Sequence, residues 1–258
     1  MNRVICYLIL LSTIVNLSFA KDLLFAYENK EQFPYYMGAT TKVLDKPGVS
    51  IDMIRLAAEK IGLKVKFVRY PWKRCKAALK KGTVDGIFNG SFKESRKELG
   101  AYPYKKDGSV DPYRRLTTLS YSLYRIKGSK IDVSNENKII NLDGLIGAPS
   151  GYSIINDLKK AGVQIDDSPH TGQDFYKLLV GRVKGVAAQT VTGDSLLAKY
   201  PRKYSKIEKV QTPLATKPYY LMLSHQFVKK NPEIAKKLWD SLSQIREKLH
   251  NDLVKNYY

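Results

Sequence analysis

Cysteine and histidine are scarce in this sequence. Its 258 residues hold two cysteines and three histidines. Cys6 stands at the front of an apolar start, so Cys75 is alone in the remainder and no internal disulfide can hold the fold. His170, His225 and His250 lie far apart and match no recognised zinc spacing, which leaves them as surface or cap residues and excludes a patterned metal site. Acids are the next shortage, 24 against 44 basic residues, for a formal net charge of +20. An excess of that size suits a polyanion or an anionic membrane surface. The lysines are dispersed, however, mostly on the polar sides of helices as at Lys76, Lys80 and Lys81, and there is no arginine-rich arm or RNA-type aromatic motif. A solvated basic coat fits better than a nucleic-acid site. Long apolar runs are nearly absent too. The one at residues 4–17 is shorter than the roughly 20 residues that span a bilayer.

That run follows Arg3 and ends in Ser18-Phe19-Ala20, a small-x-small exit before Lys21. The pattern predicts a cleaved secretory signal over residues 1–20 rather than a membrane anchor. Cys6 precedes the exit instead of following it, against lipid attachment. The expectation is a soluble periplasmic monomer that needs no cofactor.

Residues 21–258 suffice for two lobes. Apolar residues 23–27 read as a strand, and Phe33-Pro34-Tyr35-Tyr36 as a loop. Ile51, Ile54, Ala58 and Ile61 recur at helical spacing before Gly62, a C-cap residue. Residues 63–67 alternate as a strand, Pro71 opens a helix that Gly82 ends, and residues 84–88 form a third strand. A similar series follows: strand 145–148, a helix through Ile154, Ile155 and Leu158, strand 163–165, helix 175–180 and strand 183–188. Extended stretches 116–124 and 218–223 connect the two series. From Asn231-Pro232 a last helix carries Ile234, Leu238, Leu242, Ile245, Leu249 and Leu253 at spacings of three and four, a stripe that must pack on a lobe. The predicted class is α/β: two α/β lobes joined by two crossover strands, with a ligand cleft between them. One lobe takes residues 21–120 plus 220–258, the other 121–219. Ligands favour such interfaces and the carboxyl ends of parallel strands.

The segment Asp85-Gly86-Ile87-Phe88-Asn89-Gly90-Ser91-Phe92-Lys93-Glu94-Ser95-Arg96 carries the clearest chemistry. A strand ends in a polar turn, and five residues after Ser91 stands an arginine that can fork onto a carboxylate or phosphate. By itself Arg96 reads rather as an exposed helix arginine in the run Lys93 to Lys97. The segment resembles the strand, serine loop and carboxylate-gripping arginine of family 3 extracellular solute-binding proteins, the polar-amino-acid receptors of ABC importers. Gly48 to Asp52, Lys81 to Gly86, Gly147 to Gly151 and Gly181 to Val186 are similar to the same family, in order, over nearly the whole chain after residue 20.

The resemblance implies a periplasmic-binding-protein-like fold and a small-molecule ligand, with an inner-membrane permease or a sensor as partner. It assigns Arg96, Ser91 and Asn89 to a ligand carboxylate. Phe33 and Tyr35 would form an aromatic wall, with core packing as their rival role. Ser150 and Gly151 would present backbone N–H groups to an anion, or simply cap a helix. Pro71-Trp72-Lys73-Arg74 resembles a proteobacterial branch with Pro-Trp-x-Arg, making Trp72 a platform and Arg74 a second donor; a buried Trp72 is the alternative. At Gln189-Thr190 the chain departs from the pattern: Thr190 stands where an aspartate usually pairs the ligand ammonium. Asp194 is a substitute, but an organic acid or modified amino acid suits Arg96 and Arg74 better. The family also resembles cyclohexadienyl dehydratases, an enzyme alternative that requires a well-placed cleft acid. With only Asp194 near that strand end, no catalytic residue is expected.

Overall fold

The computed structural model describes residues 22–257, so the expected signal at residues 1–20 lies outside the described residues. The first lobe begins with β1 (Leu23–Glu28), α1 (Val49–Glu59), β2 (Val65–Tyr70), α2 (Trp72–Lys81) and β3 (Gly86–Ser91). Strand β1 pairs in parallel with β2 on one side and β3 on the other. Each crossover is a helix, the connection that parallel pairing demands. The expected helical stripe is buried in α1, where Ile51, Ile54 and Ala58 face the core. Gly82 ends α2 with φ 68°, a conformation open to glycine at little cost.

The chain then crosses in β4 (Thr117–Ile126) and forms a hairpin, β5 (Asp132–Val133) with β6 (Ile139–Ile140). The second lobe repeats the alternation with β7 (Ile146–Pro149), α3 (Ser153–Lys160), β8 (Ile165–Ser168), α4 (Thr171–Leu179), β9 (Gly185–Gln189) and α5 (Thr190–Lys199). After β10 (Ile207–Lys209) the chain returns through β11 (Ala215–Leu223) to α6 (His225–Lys230) and α7 (Pro232–Lys255). Helix α4 starts four residues before the expected position because the His170 imidazole caps it, accepting from the Gln173 N–H. Helices α5 and α6 and the hairpin were not anticipated.

The main sheet runs β2-β1-β3-β11-β4-β9-β7-β8, with β10 added beside β4. Its middle is an antiparallel ribbon that belongs to both lobes. Ala215 to Tyr219 of β11 pair with Tyr121 to Thr117 of β4. Beyond that ribbon, β11 continues along β3 from Tyr219, while β4 continues along β9 from Tyr121. Helix α7 packs on α1 and buries Ala235, Leu238, Trp239, Leu242 and Ile245, whereas Leu249 at the far end of the stripe is exposed. Each buried leucine contributes roughly 1.5–3 kcal/mol. Trp239 donates its indole N–H to the Leu221 carbonyl at 2.9 Å, which ties α7 to β11.

Candidate functional site

The parallel strands of both lobes end at the same place. Glu28 closes β1, Asn89 to Ser91 close β3, and Gln189 closes β9; Tyr152 and Ser153 follow β7. Side chains at these ends, with Tyr121 and Tyr219 from the ribbon, Trp72 from the start of α2, and Gln32, Tyr36 and Arg96 from loops and turns, line one small inter-lobe cavity. It measures about 20 Å³, room for about one water. An outer cleft of about 1050 Å³ opens beyond it, and Trp72 and Tyr152 line both.

Arg96 reaches this cavity by the local path of the chain. After β3, the backbone folds into a 3-10 turn, Glu94–Arg96, and the side chain returns beneath the strand end. Its Nη1 donates to the Ser91 carbonyl at 2.7 Å and to Ser91 Oγ at 3.1 Å. Its Nη2 reaches across the cleft to the Gly151 carbonyl at 3.4 Å. The guanidinium carbon stands 5.8 Å from the Trp72 ring centre. Arg96 is 5% exposed, yet among the described residues it has no ion-pair partner. A buried cation held only by neutral oxygens retains a strong demand for an anion. Helix α3 adds to this field: its cap residue Tyr152 makes no side-chain capping bond, and its first residue, Ser153, lines the cavity.

One acid shares the cavity. Glu28 pairs with Lys30 at 2.9 Å and accepts the Tyr152 O–H from the other lobe at 2.7 Å. A neutral relay continues beside it. Gln32 donates to Gln189 across the cleft; Gln189 donates to Tyr219 at 3.0 Å, and Tyr219 to Tyr121 at 3.0 Å. Burial raises the pKa of Tyr121, Tyr152 and Tyr219, with Glu28 adding to the rise at Tyr152, so these phenols stay protonated. Asn89, in the left-handed region at φ 54°, donates to Gln32 and to Ser50.

The expected site residues divide. Trp72, Asn89, Ser91, Arg96 and Gln189 line the inner cavity, and Gly151 meets it through the carbonyl that accepts from Arg96. Phe33 and Ser150 line the outer cleft. Three residues point elsewhere. Tyr35 is buried in the lobe core and stacks on His250, ring centres 6.1 Å apart, while its neighbour Tyr36 takes the cavity position. Arg74 is exposed and lies on the Tyr70 ring at 4.3 Å. Thr190 opens α5 with its hydroxyl turned back to β4, bonded to Ser122 Oγ at 2.7 Å and the Ser120 carbonyl at 3.1 Å. Asp194 does not replace it: Tyr124 at 2.8 Å and Lys209 at 2.5 Å occupy its carboxylate. Glu28, Gln32, Tyr36, Tyr121, Tyr152, Ser153 and Tyr219 also line the cavity and were not among the expected site residues. Glu28 left one signal, an acid closing an otherwise apolar strand.

A profile of the bacterial extracellular solute-binding proteins, family 3, matches residues 29–258. No curated protein sequence matches the chain. Among solved structures, a histidine kinase sensor domain with similarity to periplasmic binding proteins aligns at TM-score 0.70 and 15% identity, covering 92% of this chain and 96% of that one. The GluR0 ligand-binding core of Nostoc punctiforme, in complex with L-glutamate, aligns at 0.68 and 17%, covering 92% and 99%. The arginine-, lysine-, histidine-binding protein ArtJ of Geobacillus stearothermophilus gives 0.68 and 16%, covering 92% and 95%. At these identities the likeness establishes the fold.

Proposed function

The chain belongs to the bacterial extracellular solute-binding proteins, family 3, and from that premise we propose that its two lobes close on a small carboxylate-bearing ligand gripped by Arg96. The observation that carries this reading is a buried guanidinium with no ion-pair partner among the described residues, at the meeting point of both lobes. A carboxylate there replaces the long bond to the Gly151 carbonyl and makes two short, charge-assisted ones. Ser91, Asn89, Gln189 and Trp72 shape the pocket around it. The protein works in the periplasm as a monomer, after export through residues 1–20, and hands its ligand to a permease or a sensor. Residues 21–120 with 220–258 move as one lobe, and 121–219 as the other.

The ligand is an organic acid or modified amino acid rather than an ordinary α-amino acid. Thr190 faces away, Asp194 is bound to Tyr124 and Lys209, and Glu28 already holds Lys30 and Tyr152. An incoming ammonium therefore meets no hydroxyl turned toward it, and both carboxylates, Asp194 and Glu28, already have partners. The same pairing argues against a dehydratase, because the Glu28 carboxyl is already engaged by Lys30 and by the Tyr152 O–H. A thermal-shift screen of organic acids, amino acids and short peptides finds the ligand. Calorimetric titration of that ligand then tests the site. Arg96→Ala weakens binding by roughly tenfold to a few hundredfold, and Arg96→Lys restores only part, since an ammonium lacks the planar fork. Equal affinities in all three proteins would remove Arg96 from the site.

A further inference from the structure

Arg96 is not the only cation at the closure. Trp72 and Lys76 are one turn apart on α2, on the same face of the helix. That face meets Gly151 of the other lobe: a Cβ on Gly151 would lie 3.9 Å from both the Lys76 Nζ and the Trp72 ring. Lys76 and Arg96 thus approach the same residue, the first beside its Cα and the second through its carbonyl. Lys93, whose carbonyl accepts the Arg96 N–H at 2.9 Å, stands at the start of the same turn and is half-buried. Among the described residues neither lysine has a salt bridge or a side-chain hydrogen bond.

The crowding registers on both ammonium groups. Burial, then Arg96 and Lys73, lower the Lys76 pKa, with Glu28 opposing. Burial, then Arg96, bring Lys93 down to about 8; Lys217 and Lys76 add to the fall, and Asp157 opposes it. Asp157 is itself paired with Lys217. Like charges so placed resist closure of the lobes, and an anion between them reverses the sign.

We propose that Lys76, with Lys93 beside it, forms a second anion subsite next to Arg96, so that the ligand bears two or more negative groups. This rests on the reading of Arg96 as the first subsite and narrows the ligand to a di- or tricarboxylate or a phosphorylated acid. A monoanion satisfies Arg96 and leaves the lysines without a counter-charge; a dianion neutralises both sets and holds the lobes shut.

Matched pairs differing in one anionic group test it, namely succinate against butyrate and 3-phosphoglycerate against glycerate, titrated into wild type, Lys76→Met, Lys93→Met and Arg96→Ala. In wild type, one dianion binds at least about tenfold tighter than its monoanionic partner. Lys76→Met brings that ratio close to one because the dianion loses more affinity than the monoanion; Lys93→Met lowers it in part; Arg96→Ala weakens both members of the pair. Which pair responds separates carboxylate from phosphate. Unliganded Lys76→Met melts no lower than wild type, since a crowded cation has been removed. Equal binding within both pairs in wild type, or an undiminished ratio in Lys76→Met, overturns the second subsite while leaving Arg96 in place. Absence of binding by all four acids overturns the second subsite as stated, while the Arg96 reading stands or falls separately on the titration of the screened ligand into wild type and Arg96→Ala.

Discussion

Asp174 offers a sharp test of the electrostatics inside the second lobe. It is fully buried in the first turn of α4, and its carboxylate makes no well-formed hydrogen bond, with only the Ser168 hydroxyl and the Lys177 ammonium near enough to favour its charge. Its Cβ lies 3.3 Å from where Gly147 of β7 would carry a side chain. Burial pushes its pKa up to about 7, moderated by the Ser168 hydroxyl and the Lys177 ammonium. An unfolded aspartate titrates near 3.9. The folded protein therefore holds the proton more tightly, and stability falls as pH rises from about 4 to about 7. At about 1.4 kcal/mol per pH unit the full loss has an upper figure of about 4 kcal/mol. Asp174→Asn carries no charge to bury. Urea denaturation at pH 5 and pH 8 should show the variant gaining on wild type by about 1–3 kcal/mol more at the higher pH. An equal difference at both values, or a variant less stable than wild type at pH 8, would refute the reasoning.

Three further outcomes follow from the packing. Arg69 is buried, lies 4.9 Å from the Tyr27 ring centre, and donates to the carbonyls of Glu28, Lys30, Met37, Gly38 and Lys42; Arg69→Met, leaving those oxygens without a donor, should cost about 3 kcal/mol in denaturant melts. Gly48 has φ 119°, and a Cβ there would lie 2.3 Å from the Tyr35 carbonyl oxygen; Gly48→Ala should lower the melting temperature by several degrees, about 2 kcal/mol or more. Cys75 is buried with its thiol pushed up to about 12 by that burial and by Glu28; it should resist a thiol reagent at pH 8 until the protein is unfolded.

The alternation of short strands and helices was legible because each element pays its own periodicity in apolar residues, from the strand at Leu23 to the stripe on α7. Strand ends were less so. The β3 strand runs on through Asn89, Gly90 and Ser91, polar residues that no hydrophobic pattern marks, because Tyr219 and Tyr220 of β11 pair with it from far along the chain. Helix α5 was missed since only Gly193 among its residues is fully buried, leaving a weak apolar stripe. The Arg96 turn was visible as a motif, but its neighbours were not. Tyr121, Tyr219 and Tyr152 sit in stretches that read only as crossover or turn, and their convergence depends on where the ribbon twists from one lobe into the other. Thr190 shows the reverse: its position in the chain suggested the cleft, whereas a hydrogen bond to Ser122 turns it behind the sheet.

The central claim is that an anion on Arg96 draws the lobes together. Small-angle scattering across a titration with the acid found by thermal screening measures this directly, on wild type and Arg96→Ala. Wild type should become more compact as ligand is added, and Arg96→Ala should need roughly tenfold to a few hundredfold more ligand to reach the same radius of gyration. Compaction of both proteins at the same ligand concentration would contradict it.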